Sequence, residues 1–191
     1  LPAVPTDFTG YALNDKLFHQ FKQRGALKVR PKVLVCLNKE ASMGMEAWFD
    51  YRDFYLRLFQ ENPEIDWLIK PHPLGSQKLI NDSFSEFRKI GKPDWNEIDI
   101  MINHWSSLTW TSLILGVPTM LVNPNGRYDL RKRFLEDYDF TLHQVEDFQR
   151  FINHWKGTNL EGFYKVRESF LKKSLAATDS QSTKRTAQAI L

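Results

Sequence analysis

The chain has 191 residues, 42% of them hydrophobic and 14% aromatic, enough to bury the core of one domain or two small ones, so it reads as globular. With 26 basic and 23 acidic residues its formal charge is +3, a mixed surface that suits an anionic small ligand or a membrane face and gives nucleic acid no support as a partner. No run of about 18 apolar residues occurs, so no membrane span is expected.

A Pro-rich lead-in precedes a short polar helix expected at about 14–24. VRPKVLVCLN then gives an apolar run of strand length opened by a proline, the pattern of a buried strand. Its Cys36 is the one cysteine of the chain; it has no internal disulfide partner and reads as a buried thiol, which fits a reducing compartment. In AWFDYRDFYLRLFQENP, Trp48, Tyr51, Tyr55, Leu58 and Phe59 fall on one helical face and Pro63 closes the helix. Trp67–Lys70 is a second strand. Gln77–Ile90 carries Leu79, Ile80, Phe84 and Phe87 at helical spacing before GKPDW breaks it. Ile98–Asn103 is a third strand, SSLTWTSLILGVP a helix ended by Gly116 and Pro118, and PTMLVN a fourth strand ended by NPNG. Val145–Trp155 and Glu161–Ala177 are two closing helices with no strand between them. The opening LPAVPTDFTG and the closing TAQAIL, in mid-periodicity, read as cuts in a longer protein.

Strands alternating with helices imply an α/β fold: a Rossmann-like, mainly parallel sheet flanked by helices. The expected division is a lead-in over 1–30, a nucleotide-binding domain over 31–160 and a closing helical segment over 161–191. In such sheets ligands bind beyond the carboxyl ends of the strands. LNKE (37–40), PHPLG (71–75), HWSS (104–107) and NPNGRYD (123–129) each follow a strand and should share that edge.

The four loops carry the candidate site. Pro71 and Pro73 stiffen the backbone around His72, so its imidazole is presented with little entropy left to lose; it can donate to a phosphate oxygen or, protonated, supply charge or a proton. The plain alternative is a rigid strand-exit turn. Lys70, two residues earlier, either shares that side or pairs with a helix carboxylate. Ser106 and Ser107 stand where a helix begins, either as caps or, with the free N–H groups there, as a phosphate site. His104 either touches the ligand or is structural, and Trp105 reads as packing. Asn125 makes a turn from which Arg127 and Asp129 could reach a sugar or phosphate. Neither GxGxxG nor a P-loop is present, and no metal-ligand spacing occurs, so neither a metal nor a cofactor is expected.

KPHPLG followed about 30 residues later by IDIMINHWSSLTWTSLILGVPTMLV resembles the carboxyl-terminal half of the CDP-glycerol glycerophosphotransferase-like and capsule-polysaccharide (Kdo- or sialyl-type) transferases of GT-B fold. The resemblance covers roughly Pro31 to Pro124. It implies that His72 contacts the donor phosphate, as the catalytic residue of this domain, and that Ser106 and Ser107 hold that phosphate. It further implies a CMP- or CDP-activated donor and a role in bacterial surface-polysaccharide synthesis at the inner face of the cytoplasmic membrane. The polysaccharide or glycolipid acceptor and the catalytic base would lie on a missing amino-terminal domain, so turnover by these residues alone is not expected. His104, Trp105 and Thr111 stand where the glycerophosphotransferase pattern has Asp, Tyr and an acidic residue, which leaves a sugar donor such as CMP-Kdo open. A sugar-nucleotide epimerase of similar fold and a degenerate, non-catalytic binding module are the competing readings.

Overall fold

The structure, a computed structural model, describes residues 15–104, 106–127, 138–158 and 160–174. Six parallel strands form one sheet in the order β3-β2-β1-β4-β5-β6. They are β1 Lys32–Cys36, β2 Asp66–Lys70, β3 Arg88–Lys89, β4 Ile100–Asn103, β5 Thr119–Val122 and β6 Thr141–Leu142. Val33, Leu34 and Val35 are fully buried because helices or loops cover both sides of the central strand, which is why VLVCL shows no apolar-polar alternation.

The helices are α1 Asp15–Phe18, α2 Glu40–Met43, α3 Met45–Glu61, α4 Gln77–Phe84, α5 Leu108–Leu115, α6 Glu146–Thr158 and α7 Glu161–Ser174. The expected aromatic face of α3 is buried, and Phe59 meets Trp67 of β2 at 4.7 Å between ring centroids. α6 packs beside it, through Phe148 against Trp67. α7 lies against α5: Trp110 stacks on Phe170 at 5.3 Å, and the Arg167 guanidinium donates to the carbonyls of Leu113 and Ile114. Both carbonyls belong to the last turn of α5, where no partner is left within the helix; that of Leu113 also accepts the Gly116 N–H.

Three local expectations change. The helix expected over 77–90 stops at Phe84, and Arg88–Lys89 instead pair with Leu68 and Ile69, because the outer edge of β2 presents backbone groups that need partners. Thr141–Leu142, not expected as a strand, pair with Leu121 and Val122 for the same reason at the other edge. In the lead-in, α1 covers only Asp15–Phe18; the segment after it packs on the sheet's end, with Lys22 N–H on the Leu115 carbonyl, Arg24 N–H on the Tyr164 hydroxyl, and the Arg24 guanidinium on the carbonyls of Trp95 and Ile98. Among the described residues no helix is long and apolar enough to cross a membrane.

Candidate nucleotide-phosphate site

From β1 the chain winds to β2 and β3 in one direction, then to β4, β5 and β6 in the other, so the order reverses between β1 and β4. Adjacent loops part at such a point and leave a crevice beyond the strand ends. A cleft of about 490 Å³ occupies this place. Asn38, Lys39 and Ser42 line it from the loop after β1 and from α2; Lys70 to Pro73 line it from the end of β2; Ser106, Ser107 and Leu108 line it from the start of α5. His72 and the Ser106–Ser107 turn, 34 positions apart in the chain, thus face one space.

The lining contains two lysines and no carboxylate. Neither Lys39 nor Lys70 forms an ion pair among the described residues, so the pairing of Lys70 with a helix carboxylate, the alternative open from sequence, does not occur. The start of α5 adds donors. Ser106 Oγ accepts the Leu108 N–H at 3.2 Å and its carbonyl accepts the Thr109 N–H at 2.9 Å, which leaves the Ser106 hydroxyl hydrogen to donate elsewhere. Ser107 holds the N-cap position without a side-chain cap bond, so its hydroxyl is not consumed by the helix. Two ammonium groups, two hydroxyls and a positive helix end make this cleft suited to a phosphate or diphosphate.

Cys36 forms part of the floor. Burial pushes its thiol up to about 12, and Lys70 opposes that only in part. Neutral thiol is the unreactive form. We therefore expect the folded protein at about pH 8 to react with an alkylating thiol reagent far more slowly than the urea-unfolded chain, whose cysteine has the ordinary pKa of about 8.5; equal rates would show the thiol exposed.

Three expected contacts lie elsewhere. His104 is buried, its Nδ1 is 3.2 Å from the Val122 carbonyl, and its ring sits on Tyr51 at 4.1 Å; it joins α3 to the sheet and does not line the cleft. Asn125 lines a different depression, with Asp50, Asp53, Arg57 and His143. Arg127 is ion-paired with Asp50 at 2.5 Å and Glu46 at 3.0 Å, which hold it against the first turns of α3. Trp105 and Asp129 lie outside the described residues. Conversely, Asn38, Lys39 and Ser42 were not singled out from sequence; LNKE was placed at the correct edge, but nothing in its composition marks which side chains turn inward. Among the described residues no group of three or more His, Cys, Asp or Glu is placed to hold a metal ion.

No protein-family model matches the chain, and neither does any curated protein. Solved structures do resemble it. A putative UDP-N-acetylglucosamine 2-epimerase from Listeria monocytogenes is similar at a TM-score of 0.57 with 13% identity, over 96% of this chain and 52% of that one. The Neisseria meningitidis UDP-GlcNAc 2-epimerase bound to UDP-GlcNAc gives 0.52 with 14% identity, over 84% and 44%. MnaA of S. aureus, solved with UDP, gives 0.52 with 9% identity, over 92% and 47%. The chain spans about half the length of these proteins. At these identities the likeness establishes the fold: a Rossmann-like α/β unit corresponding to one half of a GT-B architecture.

Proposed function

We propose that this chain is the donor-nucleotide domain of a GT-B transferase, gripping the phosphates of a cytidine-activated donor of the CMP-Kdo or CDP-glycerol type for bacterial surface-polysaccharide synthesis. The observation that carries the reading is the convergence of Lys39, Lys70, His72 and the Ser106–Ser107 turn on one carboxylate-free cleft at the point where strand order reverses. When the donor bond breaks, negative charge grows on the departing phosphate; preorganised donors and ammonium groups there stabilise that charge more than the ground state. His72 and the serines supply directed hydrogen bonds and the lysines supply field. The acceptor, a polysaccharide or glycolipid, and the base that activates it would come from a second domain facing this edge, at the cytoplasmic face of the membrane.

An epimerase reading draws on the structural neighbours solved with UDP or UDP-GlcNAc. Moving a proton at a sugar carbon needs acid and base groups beside it; this lining holds His72 and two lysines but no carboxylate, so on either reading further groups would come from a second domain. Titration calorimetry with CMP, CDP and UDP separates the readings. Preference for a cytidine nucleotide, with affinity falling as salt rises, is the expected result. Preference for UDP would favour the epimerase, and no binding to any of the three would sink the nucleotide-site reading and leave a degenerate module.

A further inference from the structure

The backbone around His72 decides which ring nitrogen carries hydrogen. Leu74 N–H donates to His72 Nδ1 at 3.1 Å. A nitrogen that accepts this bond has its lone pair free of hydrogen, so the neutral ring carries its hydrogen on Nε2. The turn closes on itself through Gly75 N–H to the His72 carbonyl at 2.9 Å, an approach so close that a Cβ at position 75 would come within 3.2 Å of that oxygen.

The far end of this turn is held from another element. Glu40, the first residue of α2, reaches across 36 positions of sequence, and its Oε1 accepts the Ser76 N–H at 2.9 Å. Its other oxygen, Oε2, is sealed from solvent with no hydrogen-bond partner among the described residues, 3.5 Å from where a Cβ at position 75 would stand. An unsatisfied buried carboxylate oxygen is costly, so the carboxylate is poorly explained as a mere surface group.

We infer that Glu40 is a positioning residue: by holding the Ser76 amide it keeps the 71–76 turn in the form in which Leu74 N–H occupies His72 Nδ1, so that His72 offers a ligand oxygen its Nε2–H and does not act as a base. The inference rests on the reading of His72 as a phosphate contact and deepens it. A phosphoryl oxygen accepts hydrogen bonds, so an Nε2–H donor is the tautomer such a ligand needs. A base would need the opposite tautomer, whose Nδ1–H would confront the Leu74 N–H.

The test is imidazole nitrogen NMR on the uniformly 15N-labelled chain at about pH 8, above the ordinary histidine pKa of about 6.5, with His72 assigned by the loss of its signals in His72→Gln. The wild-type ring should show hydrogen on Nε2. Glu40→Ala should shift His72 to a mixture of tautomers and weaken CDP binding about tenfold, the scale of one hydrogen bond's net contribution. Glu40→Gln, whose amide oxygen can still accept the Ser76 N–H, should restore both. A merely structural Glu40 would lower the melting temperature without moving the ring signals, and that result overturns the inference. So does a wild-type ring protonated on Nδ1, which needs no variant to fold. If the wild type takes up no CDP, the functional reading fails, while the ring signals still decide the role of Glu40.

Discussion

His72→Ala is expected, if His72 donates to the donor phosphate as proposed, to weaken CDP binding by about 1.5–3 kcal/mol, roughly 10-fold to 150-fold, the scale of a hydrogen bond to a charged oxygen. Calorimetry on wild type and variant measures this directly. The fold should survive the change: the imidazole accepts one backbone hydrogen bond, from Leu74, at an exposed position where water can replace it. His72→Gln sharpens the result, since its amide can donate a hydrogen bond but cannot accept a proton as a base. Partial recovery of affinity in His72→Gln fits a donor role. If His72→Ala binds CDP as tightly as wild type, the Pro-His-Pro element is a rigid strand exit and the phosphate site must be built from the lysines and α5 alone.

The largest expected effect on stability comes from Gly116→Ala, at about 2–6 kcal/mol of destabilisation in urea unfolding. Two costs add there. Gly116 has φ +79° and ψ +20°, and a side chain in that left-handed region costs about 1–3 kcal/mol. Its Cβ would also stand 2.6 Å from the Lys22 carbonyl and 2.8 Å from the Phe21 ring, an overlap that forces the lead-in off the end of α5 at about 1–3 kcal/mol more. The glycine serves two ends at once: its N–H and that of Val117 return to the Leu113 and Ser112 carbonyls and stop the helix, and its bare Cα lets the lead-in cross. Gly91→Ala is the control, since nothing lies within 4 Å of its Cβ and its φ is outside the left-handed range; a change within about 0.5 kcal/mol is expected there. Equal destabilisation by the two substitutions would refute the packing argument.

The central strands were legible because burial on both faces leaves its mark in the chain itself, as apolar runs such as VLVCL at 33–37 and IMI at 100–102. α3 was legible from the spacing of Trp48, Tyr51, Tyr55 and Phe59, and the end of α5 from Gly116 and Pro118. β3 and β6 were not: two residues carry no periodicity, and both strands exist because a neighbouring strand edge needs hydrogen-bond partners. The same divide runs through the site. Chain order alone implies that loops after parallel strands emerge at one edge, and that placed His72 with Ser106 and Ser107.

Chain order is silent on which way each side chain turns once it leaves its strand. Tyr51 and the Val122 carbonyl draw His104 inward, and Asp50 and Glu46, 77 and 81 positions from Arg127, hold that arginine against α3. Lys39 and Asn38 turn into the cleft with no mark of it in the sequence. Hydrophobic periodicity and the proline and glycine breaks thus determined by themselves the parallel α/β layout and the edge at which the cleft opens, because these are local consequences of backbone geometry. Membership of the cleft was decided by the tertiary structure alone, because it depends on partners that only the folded sheet brings within hydrogen-bond reach.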